Sequence, residues 1–179
     1  MTRRALLARG SAPASLAARY LANIRVRDQF DRRLRFYDDL VKGRTVLINF
    51  MFTTCDGICP RATANLAKVQ DLVPDLLGNK LHMLSVSVDP VNDTPRQLAR
   101  YAAAHHARPG WYFLTGTPRD MKDLRVSLGA PEDDKMQHTG LVTIGNDPVG
   151  RWRHFYSLSS PTSIAEAVRN IAALSITTL

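Results

Sequence analysis

Cys55 and Cys59 are the two cysteines of a 179-residue chain, four positions apart in Cys55-Asp56-Gly57-Ile58-Cys59-Pro60. A disulfide closing so small a loop constrains the unfolded chain by only about 2 kcal/mol, which makes a structural bridge a poor explanation for the pair. An inert buried role suits an isolated cysteine better than two in a glycine-containing loop. Redox or metal chemistry is left. In one reading the pair cycles between dithiol and disulfide, with Cys55 the attacking thiolate and Cys59 the resolving thiol. Thioredoxin-like enzymes of this kind usually have two residues between their cysteines, and this loop has three. In the other reading two thiolates bind a soft metal: Cu(I), zinc or an iron–sulfur cluster. Two thiolates do not complete a tetrahedral zinc site, so the metal reading asks for a third ligand.

The flanking segments show what must hold the pair. Thr45 to Phe52 is a nearly continuous apolar run, as expected of a strand buried on both faces. Pro60 disfavours the α conformation for Cys59, so a helix is predicted from Pro60 to about Leu77, with Cys59 near its N-cap and Cys55 in the loop. Free backbone N–H groups and the dipole at that helix start favour thiolate over thiol. Further strands are predicted at 81–88, 111–114, 141–144 and 152–156, and a hairpin within 24–36. Asp147-Pro148-Val149-Gly150 predicts a turn joining the last two strands into an antiparallel hairpin. Thr94-Pro95, Thr117-Pro118 and Ser160-Pro161 each set a capping hydroxyl before a proline suited to the first helical position. Gly129 is a plausible stop for the helix that starts at Pro118. Strands alternating with helices and ending in a hairpin predict an α/β sandwich with a mixed sheet.

The net charge of +8 is unevenly placed: residues 1–50 hold 11 Lys/Arg against 4 Asp/Glu, and residues 51–179 hold 13 against 12. A nearly neutral body without a basic stripe excludes a nucleic-acid-binding role. Residues 1–27 carry Arg3, Arg4, Arg9, Arg19, Arg25 and Arg27 and no acid. Thr2-Arg3-Arg4 looks like the opening of a twin-arginine export signal, but Ala8-Arg9-Gly10-Ser11 interrupts the apolar region that should follow, so no intact signal is read. Residues 1–20 are taken as a basic extension and residues 21–179 as the domain. No apolar stretch is long enough to suggest a membrane span.

Of the five histidines, His82 falls in a strand, His154 in the final hairpin, and His105 and His106 at the end of a helix, where positive charge is favourable. His138 falls in the turn before the strand at Leu141, a turn that faces the cysteine loop in the thioredoxin architecture. Met136 reads as an ordinary side chain, although its sulfur is a soft donor. Asp89 and Asp93 read as turn and cap residues, with a second reading for Asp89 in which it orients a ligand or docks a partner.

Several blocks in order carry a family resemblance: Phe52-Thr-Thr-Cys-Asp-Gly-Ile-Cys-Pro60, then Ser85-Val-Ser-Val-Asp-Pro-Val-Asn-Asp-Thr-Pro95 followed by Leu98 and Tyr101, then Trp111-Tyr-Phe-Leu-Thr-Gly116, and His138-Thr-Gly140. From about residue 24 to residue 172 the chain resembles the SCO/SenC family of copper proteins. The resemblance implies a thioredoxin-like fold and a copper ion, Cu(I) or Cu(II), bound by Cys55, Cys59 and His138. It implies a metallochaperone rather than an enzyme, delivering copper to a partner, the binuclear copper site of cytochrome c oxidase subunit II. It also implies the bacterial periplasm or the outer face of the cytoplasmic membrane, close to the bilayer. The alternative stays a thiol–disulfide oxidoreductase using Cys55 and Cys59. No proline lies between Glu132 and Asp147, where such enzymes usually place one beside the cysteines. Two departures stand beside the site: Asp56 where the family commonly has proline, and Gln137 where it often has aspartate. Asp89 and Gln137 are the residues expected to support the ligands from behind.

Overall fold

The computed structural model describes residues 24–129 and 140–175. The extension 1–20, Met136, Gln137 and His138 therefore lie outside the described residues. Seven strands form one mixed sheet: β1 (Arg25–Asp28), β2 (Arg33–Arg35), β3 (Thr45–Met51), β4 (Leu81–Ser87), β5 (Trp111–Thr115), β6 (Leu141–Asn146) and β7 (Arg151–Tyr156). Their spatial order is β2-β1-β5-β4-β3-β6-β7. β3, β4 and β5 run parallel, and the other neighbours pair antiparallel. The two most apolar runs take the centre, and all seven residues of β4 are buried. The predicted hairpins are both present, at β1–β2 and at β6–β7.

Two layers of helix cover the sheet. α1 (Ile58–Leu72), α2 (Pro95–Ala104) and α4 (Pro161–Ala172) pack on one face around Leu47, Met83, Phe113 and Ile144. α3 (Pro118–Ser127) and a π-helical segment, Phe36–Val41, pack on the other around Val46, Ile48, Leu84 and Val86. The three proline-marked starts are borne out. Thr94 accepts from the Gln97 amide (3.3 Å), Thr117 from Asp120 (3.1 Å) and Ser160 from Ser163 (3.1 Å). Such caps contribute about 1 kcal/mol each. Gly129, at φ +79°, stands just past the end of α3.

The helix after the cysteines departs from expectation at both ends. It starts at Ile58, two residues before Pro60, because a proline within the first turn deprives no carbonyl of its partner. It ends at Leu72 rather than near Leu77, because Pro74 cannot continue it and Val73 leaves the helical region at φ −130°, ψ 42°. The π-helical turn was not foreseen. It buries Phe36, Tyr37, Leu40 and Val41, and the Tyr37 hydroxyl reaches the Asp147 carboxylate at 3.1 and 3.2 Å, which ties it to the turn between β6 and β7.

Candidate metal centre

β3 delivers the chain to the cysteine loop, and a buried carboxylate from the next loop catches it there. Asp93, with no exposed surface, accepts hydrogen bonds from the Thr53 amide (3.1 and 3.3 Å), the Thr53 hydroxyl (2.5 Å) and the Ser87 hydroxyl (2.6 Å). The start of the loop, two residues before Cys55, is thus fixed to the end of β4. Asp93 does more than the turn and cap role read from the sequence, since it holds a segment 40 residues away. Asp89 does take the turn role: its carbonyl accepts from Asn92 and Asp93 N–H groups (3.1 and 2.9 Å), and its carboxylate accepts from the Asn92 side chain (3.0 and 3.1 Å).

Both cysteines are free thiols, and both are buried, at 8% and 2% exposure for Cys55 and Cys59. Cys59 sits in the first turn of α1 rather than at its cap, and Cys55 stands in the loop before it. Burial pushes the Cys59 thiol up to about 12; its hydrogen bond to the Cys55 side chain adds to this, while a hydrogen bond with the Phe52 backbone opposes it. The expectation that the helix start favours thiolate fails for metal-free Cys59, because desolvation outweighs the free N–H groups. Beneath the pair, Thr63 lies one turn along α1 from Cys59, and its hydroxyl meets that of Tyr101 on α2 at 3.1 Å. Burial pushes the Tyr101 hydroxyl up to about 12, and negative charge on Cys59, Cys55 and Asp93 adds to the effect.

Described structure resumes at Gly140, two residues after His138, and it resumes on top of the cysteine turn. A β-carbon at Gly140 would lie 2.6 Å from Cδ1 of Ile58, the residue between the loop and Cys59. The Gly140 carbonyl accepts from the Ser157 amide at 2.6 Å. The Asn65 side chain on α1 donates to the Ser157 and Ser159 carbonyls, both at 2.8 Å. The strand entering β6 is therefore bolted to the helix that carries Cys59. The structure brings together Cys55, Cys59 and the end of the His138-Thr139-Gly140 block; His138 and Gln137 themselves lie outside the described residues.

The other histidines are accounted for elsewhere. His82 is buried with Nδ1 2.9 Å from the Leu40 carbonyl, and burial lowers its pKa. His105 caps α2 with its ring against Tyr101, and His154 pairs with Thr143 at 2.9 Å. Among the described residues no three or more His, Cys, Asp and Glu side chains gather into a metal-holding group. As a donor set, the two thiols fit a soft metal and are short of a closed site by at least one ligand. Sequence reasoning missed Asp93 as a loop anchor, the Thr63–Tyr101 contact, and Asn65. Asp93 and Tyr101 stood inside quoted motifs, but Asn65 carried no signal.

The SCO1/SenC family model matches residues 28–173. An SCO2-like protein of Rickettsia conorii is 33% identical over 147 residues, covering 75% of this chain and 69% of the relative. The solved structure of BsSco, described as a Sco-family cytochrome c oxidase assembly protein with a disulfide switch, superposes with a TM-score of 0.69 at 25% identity, over 87% of this chain and 95% of that one. Copper-bound ScoI of Bradyrhizobium japonicum superposes with a TM-score of 0.67 at 24% identity, over 83% and 96% of the two chains.

Proposed function

We propose that this chain, which belongs to the SCO1/SenC family, is a copper metallochaperone that carries one copper ion between Cys55, Cys59 and His138. The observation that carries the reading is the meeting of three parts at one place. Two buried thiols share a hydrogen bond, and the chain two residues beyond His138 is seated on Ile58 between them. Thiolates are the soft donors Cu(I) prefers, and an imidazole adds the nitrogen that Cu(II) wants. Copper is cargo here. Each thiol gives up its proton as the metal binds.

Three protein ligands leave room for a donor from the acceptor, so the ion passes through a shared complex and is never set free. Because burial pushes the metal-free Cys59 thiol up, that sulfur holds little thiolate to react with other partners. The acceptor is the binuclear copper site of cytochrome c oxidase subunit II, in keeping with the assembly role ascribed to BsSco. The place of exchange is the periplasm or the outer face of the cytoplasmic membrane. No described helix is long and apolar enough to cross a membrane.

A second reading rests on the same hydrogen bond, since adjacent thiols can also close a disulfide and reduce a partner. Cu(II) titration and a disulfide-reduction assay on His138→Ala and Cys55→Ser separate the two. Metallochaperone activity requires that His138→Ala abolish stable Cu(II) binding while the fold and the dithiol survive. Unchanged Cu(II) binding in that variant, with parental disulfide reduction that Cys55→Ser destroys, would move the assignment to the oxidoreductase.

A further inference from the structure

The described part of the chain's basic front begins with the β1–β2 hairpin. Arg25 and Arg27 on β1 and Arg33 and Arg35 on β2 are all exposed. The register sets Arg25 opposite Arg35 and Arg27 opposite Arg33, so the four share one face of the hairpin. Like charges directly across a strand pair destabilise it, so this face is not explained by the stability of the sheet. Charge on edge strands blocks edge-to-edge aggregation, which accounts for arginine on β2 at the edge of the sheet, but β1 is paired on both sides and needs no such protection, so Arg25 and Arg27 are not explained by it. Arg27 is paired with Asp31, and Arg35 with Asp38 and Asp39. Arg25 and Arg33 make no ion pair among the described residues, so each cross-strand pair keeps one uncompensated guanidinium. The four line a groove that continues past Asp39 to Gly116, Thr117 and Asp120.

A second feature sits at the tip of the same hairpin. Phe30 is 69% exposed. It is held there by the buried Asp28 carboxylate, which accepts from the Phe30 amide (3.0 Å), the Arg32 amide (2.9 Å) and Arg32 Nε (2.7 Å). The Arg32 guanidinium stands 5.2 Å from the centre of the Phe30 ring. A fixed, protruding aromatic with Arg32 against its ring, on a hairpin that carries four further arginines, suits the boundary between lipid headgroups and acyl chains, where apolar contact and attraction to anionic headgroups act together. The sequence leading into β1 adds Arg3, Arg4, Arg9 and Arg19 and no acid.

We infer that the β1–β2 hairpin is a docking surface for a bilayer carrying anionic headgroups, with Arg25 and Arg33 supplying the attraction and Phe30 the apolar contact. The inference stands apart from the copper reading and needs no metal. A bilayer fits better than an acidic protein because the charges share a hairpin with an exposed aromatic and line an open groove.

The experiment is sedimentation of the full chain with vesicles of phosphatidylcholine, with and without phosphatidylglycerol. The parent should bind the anionic vesicles, and high salt should release it. Arg25→Gln with Arg33→Gln should lower partitioning roughly 25-fold, about fivefold for each arginine. Phe30→Ser should weaken binding as well. Arg151→Gln with Arg153→Gln, on the opposite edge strand, removes the same net charge and should leave partitioning unchanged. Circular dichroism confirms that each variant is folded. Failure of the parent to bind anionic vesicles overturns the proposal. So do equal losses for the two arginine pairs, which would mean a net-charge effect, and so does parental binding to soluble polyglutamate, weakened by the Arg25 and Arg33 changes, without any vesicle binding, which would assign the face to an acidic protein.

Discussion

Gly140 approaches Ile58 so closely that a side chain fits only if Ile58 moves: a β-carbon would stand 2.6 Å from Ile58 Cδ1 and 3.4 Å from the Ser157 hydroxyl. Ile58 lies between the two cysteines, so this contact sets how near Gly140 comes to the cysteine turn. The colliding atom is the end of a flexible side chain, so Gly140→Ala should cost less than Gly140→Val, for which overpacking of about 1–3 kcal/mol is expected. Gly140→Val should also lose the visible Cu(II)–thiolate absorption while keeping Cu(I) on the thiols. Combining it with Ile58→Ala should recover part of both. Denaturant melts and visible spectra of the three variants test this, and a Gly140→Val protein with parental Cu(II) absorption would separate the contact from the metal site.

Asp93 offers a test of the loop itself. Its carboxylate is buried and accepts from two donors of the partly buried Thr53 and from the buried Ser87 hydroxyl. Asn at this position keeps the shape but turns an N–H₂ group toward donors. Asp93→Asn should therefore cost about 2–3 kcal/mol, as for a lost charged hydrogen-bond acceptor. Because the loop start would be freed, both thiols should react faster with a thiol-specific disulfide reagent. Parental thiol reactivity in a destabilised variant would show that Asp93 serves the fold and leaves the loop unaffected.

Stability of the metal-free protein should depend on alkaline pH with a definite sign. The Cys59 thiol rises from an ordinary 9.0 to about 12 in the folded state, chiefly through burial. Tyr101 rises from 10.0 to about 12 for the same first reason. Groups raised on folding hold their protons more tightly when folded, so their contribution is intact below the unfolded values and is lost as pH climbs toward 12. Stability should fall from about pH 9 upward, and Cys59→Ser should flatten the first part of that fall. His82 acts at the other end: burial lowers its pKa from 6.5, so its contribution holds above 6.5 and is lost below it. Urea midpoints across pH read both limbs. A Cys59→Ser protein with the parental alkaline slope would contradict the assignment.

Much of this fold was legible because its punctuation is local. Three Thr-Pro or Ser-Pro pairs marked three helix starts, and uninterrupted apolar runs marked the central strands. Local rules failed where two of them competed. Pro60 was read as forcing a later helix start, yet proline is tolerated in a first turn, and the helix took in Cys59. That shift moved Cys59 from a capping position into the packed interior, so burial overrode the free N–H groups in setting its pKa. The loop anchor was invisible for a different reason. Asp93 and Thr53 are 40 residues apart, and nothing in either segment states that they meet. The family resemblance named ligands, but the residues that position the chain around them emerged from three-dimensional contacts.

Asn65 gives the sharpest test of that positioning. Its side-chain amide donates to the carbonyls of Ser157 and Ser159, both at 2.8 Å, and so pins the turn between β7 and α4 to the cysteine helix. The same turn holds Gly140 through the Ser157 amide. Asn65→Ala removes both donors and leaves two carbonyls short of partners, at a cost of about 1–2 kcal/mol. Asn65→Asp is closer in shape but should be worse, because it aims a carboxylate at two carbonyl oxygens where an amide donated. The expected order of stability is therefore Asn, then Ala, then Asp. At low pH the protonated Asp can donate one hydrogen bond, so the gap between Asp and Ala should narrow. Amide exchange at residues 157–160 should rise in the same order if the turn has come loose from α1. Denaturant midpoints at neutral and acidic pH, read beside exchange at that turn, decide the matter. An Asn65→Asp protein as stable as the parent at neutral pH would mean that the two carbonyls find other donors and that the bolt between α1 and the β6 entry lies elsewhere.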